Sequence, residues 1–394
     1  MHQSADTVPT VLDMADFTMI RESARALAAQ FDLNYWHKHD AEKKYPWEFI
    51  NAFAEGGWLG TMIPTEYGGM GLGLTAASIM LQEAAFSGGA NGASALHFYI
   101  FPPGPIIRHG SEEMKRKYLP ALASGKSMMC FGVSEPNAGV DTSRITTRAE
   151  RRPSGWIVNG QKVWITNSKN ADRILLLART SPRSDSRPMD GMTLFYTHLD
   201  RKAITISRID KMARNAIDSN ELFIENLEIS DDDVVGEVGK GFYYLLDGFN
   251  PERIVVGWEQ IGLGRRALDL AVTYAGERIV FDRPIGKNQA IAHPLADSWI
   301  RLHAAQLVAT EAARLYDEGK RCGAEANAAK YLGSEAGFEA CDRAMQTFGG
   351  FCYATEYHIE RFWREARLLK IAPVSQEMVL NYISNKILGL PKSY

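Results

Sequence analysis

The hydrophobic period predicts an α+β fold in three consecutive parts, helical, then β, then helical again. Three observations carry this: the period changes from helical spacing to alternation near residue 128, it changes back near residue 245, and turn signals crowd the middle third. The expected domains are an N-terminal helical domain over 1–128, a central β-domain over 129–244 and a C-terminal four-helix bundle over 245–394. In the first, Phe17, Ile20, Ala24, Leu27 and Phe31 recur at three- and four-residue spacing, and the Gly/Pro-rich turn over 64–69 interrupts the helices. In the second, short alternating runs cover 156–158, 162–165, 174–178 and 194–197. Asn159-Gly160 between the first two reads as a tight hairpin turn, whose central residues need positive φ. In the third, Asn250 reads as an N-cap with Pro251 and Glu252 in the first turn, opening a long helix striped by Ile254, Trp258, Ile261, Leu268, Val272, Ala275 and Ile279. Further helices are expected over 291–316, 324–348 and 374–388.

Bulk properties exclude several function classes. At 394 residues and 45% hydrophobic, the chain is long enough for two or three well-buried cores. A net charge of −3 supplies no basic field for nucleic acid. Cys130, Cys322, Cys341 and Cys352 lack CxxC or metal-ligand spacing, so a reducing, cytoplasmic setting and no metal are expected. The N-terminal MHQSADTVPTVLDMADF has no basic start followed by an apolar run, and no window reaches membrane-spanning length, so neither secretion nor membrane insertion is expected. Gly71 to Ala76 and Gly262 to Ala267 both match GxGxx[GA], yet neither follows a strand. They read as a helix-start turn and as close helix packing.

Four motifs carry chemistry. In FGVSEPNAGVDT (131–142), Ser134 offers a hydroxyl and a backbone N–H to an acceptor edge, although alone it reads as a turn serine before Glu-Pro. In NGQKVWITN (159–167), Trp164 offers a flat apolar face, and Thr166, two residues on in a strand, projects to the same side. In RIVFDRPI (278–285), Arg278 can pair bidentately with a pyrophosphate or be a solvated helix-end cation. In QTFGGFCYATEYHIERFWREARLLKIAPVSQEM (346–378), Gly349 and Gly350 end a helix and leave the backbone open to close approach.

Together, in this order and at these separations, the motifs resemble the acyl-CoA dehydrogenase family over essentially the whole chain. The resemblance implies an N-terminal helical domain, a central β-barrel or sandwich and a helical bundle, with FAD extended between the last two. It implies cofactor contacts from Phe131, Val133, Ser134, Trp164, Thr166, Gln346, Gly349, Gly350, Ser375 and Glu377. Arg278, Phe281 and Gln289 would meet the FAD of a neighbouring subunit in a homodimer or homotetramer. An acyl-CoA would be desaturated at Cα–Cβ, and an electron-transfer flavoprotein would take the electrons.

Departures from the family pattern locate the chemistry that needs explaining. Pro373 stands where short- and medium-chain members carry the Glu that removes the α-proton. Glu252 stands where the isovaleryl and long-chain members carry theirs, so the resemblance makes Glu252 the base with Arg253 orienting or charge-balancing it. An acidic residue in a first helical turn also has a plain role, stabilising the helix by about 0.3–1 kcal/mol. Glu377 is the alternative carboxylate. Val140 replaces a Ser that in relatives meets the CoA phosphate arm, Cys352 replaces a loop glycine and Ala213 another. With Asn250 and Pro373, Val140 and His97 complete the expected substrate contacts. His97 would bound the far end of the acyl chain, where it selects a polar terminus or is simply a satisfied core histidine. A monooxygenase, nitroalkane oxidase or enoyl-CoA reductase on the same scaffold, or a catalytically silent subunit of a hetero-oligomer, would also lack the usual Glu.

Overall fold

In the computed structural model, which describes residues 14–392, the helical, β, helical order holds. The leaderless N-terminus expected from the sequence lies largely outside the described residues. The first part contains α1 (Met14–Ala28), α2 (Leu33–Glu42), α3 (Trp47–Glu55), α4 (Gly73–Ile100), α5 (Gly104–His109) and α6 (Glu112–Ala123). The second contains β1 (Met129–Gly132), β2 (Arg148–Arg152), β3 (Gly155–Thr166), β4 (Arg173–Arg179), β5 (Met192–His198), β6 (Ile204–Arg208) and β7 (Ser219–Ile229). The third contains α7 (Gly241–Glu277), the hairpin β8 (Ile279–Val280) and β9 (Arg283–Pro284), α8 (Gln289–Asp317), α9 (Gly323–Phe348), α10 (Ile359–Leu368) and α11 (Gln376–Tyr382). Among the described residues no helix is long and apolar enough to cross a membrane.

The middle strands form one mixed sheet in the order β1-β4-β2-β3-β7-β6, with β5 antiparallel to β4. The hairpin expected at Asn159-Gly160 is absent: both residues lie inside β3, which pairs with β2 on one side and β7 on the other. The glycine serves a close approach instead. A Cβ at Gly160 would come within 2.4 Å of Thr147 Oγ1, at a register shift between Val158 and Gly160.

The helical parts pack on each other through α4, which is buried along most of its length and lies against α7. It breaks at Gly89, whose φ of 69° frees the Ala90 N–H to donate to Glu365 Oε2 at 2.6 Å. Glu365 and Arg361 form a buried ion pair on α10, a helix that period analysis did not separate out. Gly262 and Gly264 are packing residues of α7, since a Cβ at Gly262 would meet Gln82 O at 2.3 Å and one at Gly264 would meet Gly337 Cα at 2.7 Å.

The expected helix start at Asn250 is also corrected. α7 begins nine residues earlier, at Gly241, so Asn250 is a helical residue and Glu252 lies in the fourth turn. A helix-dipole role therefore does not explain this carboxylate, because that effect fades beyond the first turn. Pro251 inside the helix leaves the Asp247 carbonyl without its i+4 donor, and Arg108 Nη1 from α5 approaches that oxygen at 3.5 Å.

Candidate active site

Exposure along the first half of α7 changes near Glu252. Tyr243 and Leu246 face solvent, Glu252 and Arg253 are half-buried, and every residue from Ile254 to Gly264 is buried. Glu252 thus sits where the helix passes from the surface into the core. Its carboxylate has no hydrogen-bond partner among the described residues. Burial pushes its pKa up to about 7, while His97 and Arg253 pull it down and Glu259 adds to the rise. Beside it, Arg253 donates through Nη1 to Asn250 Oδ1 at 3.2 Å, and its Nε is buried without a partner.

Inward from Glu252 lies a second polar pair. His97 on α4 and Glu259 on α7 are both buried, with Nδ1 to Oε1 at 2.7 Å. The His97 ring packs 4.9 Å from Phe101, which packs 5.3 Å from Phe131 at the end of β1. One aromatic chain therefore links the inner helices to the β-domain wall.

That wall assembles the expected flavin-ring residues. The Val163 N–H donates to Ser134 O at 2.9 Å, so the Phe131, Val133 and Ser134 segment lies against β3 beside Trp164 and Thr166. A register shift between Lys162 and Ile165 gives Trp164 a left-handed φ of 62°, and its ring is 60% exposed. A bulge holding a large aromatic in strained backbone and leaving its face bare is a feature of built sites. Behind it, the Lys162 ammonium is buried between Glu135 at 2.8 Å and Val133 O at 3.1 Å. Burial lowers the Lys162 pKa to about 8, so the pair remains ionic at neutral pH. The Glu135 carboxylate also accepts from the Thr146 and Thr147 backbone, which secures the segment carrying Ser134.

A separate cluster forms at the far end of α7. Arg278 is the C-cap, and its guanidinium lies 5.5 Å from the Phe351 ring, next to Gly349 and Gly350 at the end of α9. A Cβ at either glycine would meet nothing within 4 Å, so the backbone there is open to a ligand. Phe281 and Asp282, with φ of 49° and 58°, form the two-residue turn of the β8-β9 hairpin and leave Phe281 93% exposed. Gln346 lies in the last turn of α9 and Gln289 opens α8.

The last segment, 369–378, is fastened to α9. Ser334 donates to Leu369 O at 2.8 Å, Lys370 pairs with Glu335 at 2.8 Å, and Gln376 bridges Glu335 at 2.8 Å and the buried Lys330 at 3.2 Å. Pro373 is exposed there, Ser375 caps the Met378 N–H, and Glu377 is exposed with its pKa held down by its own backbone N–H and by Ser375. Val140 is exposed on the loop after β1. Glu259, Lys162, Glu135 and Lys330 were not singled out from the sequence. A charged residue on an apolar stripe seven positions after Glu252 was the available signal for Glu259.

The sequence matches the N-terminal, middle and C-terminal domain models of acyl-CoA dehydrogenases over residues 14–126, 130–227 and 239–388. It is 35% identical to acyl-CoA dehydrogenase FadE12 of Mycobacterium tuberculosis over 392 residues, covering 95% of this chain and 97% of that one. The fold superimposes on a glutaryl-CoA dehydrogenase in complex with glutaryl-CoA at a TM-score of 0.91 and 30% identity, over 97% of both chains. It matches equally well, at 0.91 and 30%, a chain from a structure described as an electron transferring flavoprotein of Acidaminococcus fermentans, over 96% of this chain and 99% of that one. The bare Trp164 face and the open glycine backbone fit FAD, the cofactor that members of this family bind. The chain belongs to the acyl-CoA dehydrogenase family of oxidoreductases.

Proposed function

We propose that this protein desaturates the Cα–Cβ bond of an acyl-CoA thioester, with Glu252 as the base that removes the α-proton. The observation that carries this reading is the state of the Glu252 carboxylate: half-buried, free of protein partners and poised near neutral pH. Arg253, held by Asn250, balances the charge that Glu252 gains on ionising. Bound FAD supplies the acceptor for the hydride that leaves Cβ. Phe131, Val133, Ser134, Trp164 and Thr166 on the β-domain wall would hold and cover its ring, and Ser375 and Glu377 would also serve it. The Ser134 hydroxyl would supply a hydrogen bond to the edge where negative charge gathers on reduction. Val140 and the Pro373 segment border the thioester and its CoA arm.

The FAD site is completed by a second copy of this chain. Glu252 and Arg278 are 26 residues apart on one unbroken helix, about 39 Å, too far for one dinucleotide to meet both in the same protomer. Arg278, Phe281 and Gln289 of one protomer, with Gln346, Gly349 and Gly350, therefore serve the pyrophosphate and adenosine across an interface, giving a homodimer or a dimer of dimers. The exposed Phe281 ring supports this assembly. An electron-transfer flavoprotein is the proposed acceptor, consistent with the Acidaminococcus neighbour.

The test is Glu252→Gln in the FAD-loaded protein. Flavin reduction by the best acyl-CoA should slow by about 10² to 10⁴-fold, with FAD content and substrate affinity retained. A variant that reduces its flavin at nearly the parental rate removes Glu252 from the mechanism.

A further inference from the structure

The buried stretch of α7 beyond Glu252 contains one carboxylate on the same face two turns on, Glu259, and it is engaged by His97 from α4. Resting on the reading of Glu252 as the base, this arrangement fixes which way the substrate lies. The bulky, charged CoA end cannot enter the buried stretch Ile254 to Gly264, so it lies on the side of Glu252 where Tyr243, Leu246 and Asp247 reach the surface, and the acyl tail lies on the side of the pair. Seven residues of helix separate Glu252 from Glu259, about 10 Å along the axis, and the two side chains take up part of that length.

We propose that the His97–Glu259 pair closes the inner end of the acyl channel and selects short acyl thioesters whose tail ends in a neutral hydrogen-bonding group such as a hydroxyl. With Nδ1 committed to Glu259, Nε2 of His97 is the ring's remaining polar atom, and it has no partner among the described residues. A purely alkyl tail would seal Nε2 from water and leave it without a hydrogen-bond partner, which is costly in a buried site. A tail ending in a carboxylate would bring a second negative charge beside Glu259. The neighbouring cation, Arg214, already faces the carboxylates of Glu259 and Glu365, so a further anion would be in excess. A hydroxyl satisfies Nε2 and adds no charge. His97 packs through Phe101 to Phe131, so this end of the channel is tied to the wall assigned to the flavin ring, and a change here is expected to alter tail selection more than proton removal.

The experiment compares matched five-carbon tails on the FAD-loaded protein: pentanoyl-CoA, 5-hydroxypentanoyl-CoA and glutaryl-CoA, with octanoyl-CoA as the long chain. Anaerobic flavin bleaching at subsaturating substrate should favour the hydroxy compound by about tenfold or more over its five-carbon partners and about a hundredfold over octanoyl-CoA. His97→Leu combined with Glu259→Leu should reverse the order toward pentanoyl- and octanoyl-CoA. Equal or better bleaching of the wild-type flavin by pentanoyl-, octanoyl- or glutaryl-CoA overturns the proposal. Where the double variant does not retain FAD, the wild-type order decides alone. Affinities of the same four thioesters for the Glu252→Gln protein read selection without turnover. A preference there for the hydroxy tail upholds the proposal even if no thioester bleaches the wild-type flavin, an outcome that would instead sink the proposed desaturation, and no such preference overturns it.

Discussion

Two regions of this fold stand where a proton acceptor is called for, the fourth turn of α7 and the segment joining α10 to α11, and they differ in how their polar groups are satisfied. The segment is fastened at several points: Ser334, Glu335, Lys330 and Gln376 tie it to α9, Ser375 caps α11, and Glu377 is exposed with its carboxyl below the usual range. The α7 turn is the reverse, with a carboxylate lacking partners and an arginine whose Nε is buried and unbonded. Buried polar groups are nearly always paired, so unmet hydrogen-bonding capacity in a partly buried site marks chemistry, whereas complete pairing marks scaffold. If Glu252 is the base, as proposed, the segment is left a structural role.

The largest effect that can break this contrast is a pH profile. If Glu252 is the base, its ionised form is the active one, so flavin reduction at low substrate should fall about tenfold per pH unit below about 7 and level off above it. The groups facing it are His97, Arg253 and Glu259, and Glu259→Gln should shift the midpoint downward by removing a like charge. A rate that stays flat from pH 5.5 to 8 assigns the proton to another group.

The same carboxylate should lower stability. In the unfolded chain Glu252 ionises near 4.5, and in the folded chain near 7. Between these values the folded protein holds a proton that the unfolded chain has released, so the stability from this group is present in full below about 4.5 and is lost as pH rises through about 7. Because the side chain is only half-buried, the cost at pH 8 is about 1–3 kcal/mol. Glu252→Gln should therefore be inactive yet more resistant to denaturant than the parent at pH 8, with the two converging near pH 4. Equal stability at pH 8 would mean that the carboxylate is not desolvated.

Much of this was legible in the sequence, for identifiable reasons. The order of helix and strand showed in the change of period, and the motifs around Ser134, Trp164 and Arg278 showed in their order and separations, since each residue alone has a plainer reading. Local signals failed where tertiary packing overruled them. Asn159-Gly160 has the composition of a hairpin turn, but β2 and β7 on either side of β3 carry the chain straight through. Asn250-Pro251 has the composition of a helix start, but Gly241 to Phe249 pack well enough for the helix to begin earlier and take the proline inside. His97 was noticed and Glu259 was not, because their pairing joins two helices 162 positions apart.

Assembly supplies the next test. Arg278→Ala removes a cation from the far end of α7 and from the face of Phe351, and should weaken FAD retention about tenfold while loosening the oligomer. Ultrafiltration of the flavin with light scattering of the same samples reads both. Loss of FAD from an intact oligomer would place Arg278 within its own protomer's site, and a parental affinity would remove it from the cofactor altogether.

The smallest effect is the most discriminating between the two regions. Glu377 is the carboxylate closest in sequence to the vacated position at Pro373, so a base in the fastened segment would have to be this one. Its exposure and depressed pKa argue against that role, since a group already ionised in water and held by Ser375 gains little by taking a proton. Glu377→Gln, assayed with FAD in excess to offset any weaker cofactor contact, should leave the rate of flavin reduction within about twofold of the parent and the pH midpoint near 7 unchanged. A loss of about a hundredfold there, with Glu252→Gln retaining its rate, would reverse the comparison and return the acid to the segment. A loss in both would mean that proton removal needs the two regions together, with the segment closing over the substrate when it binds.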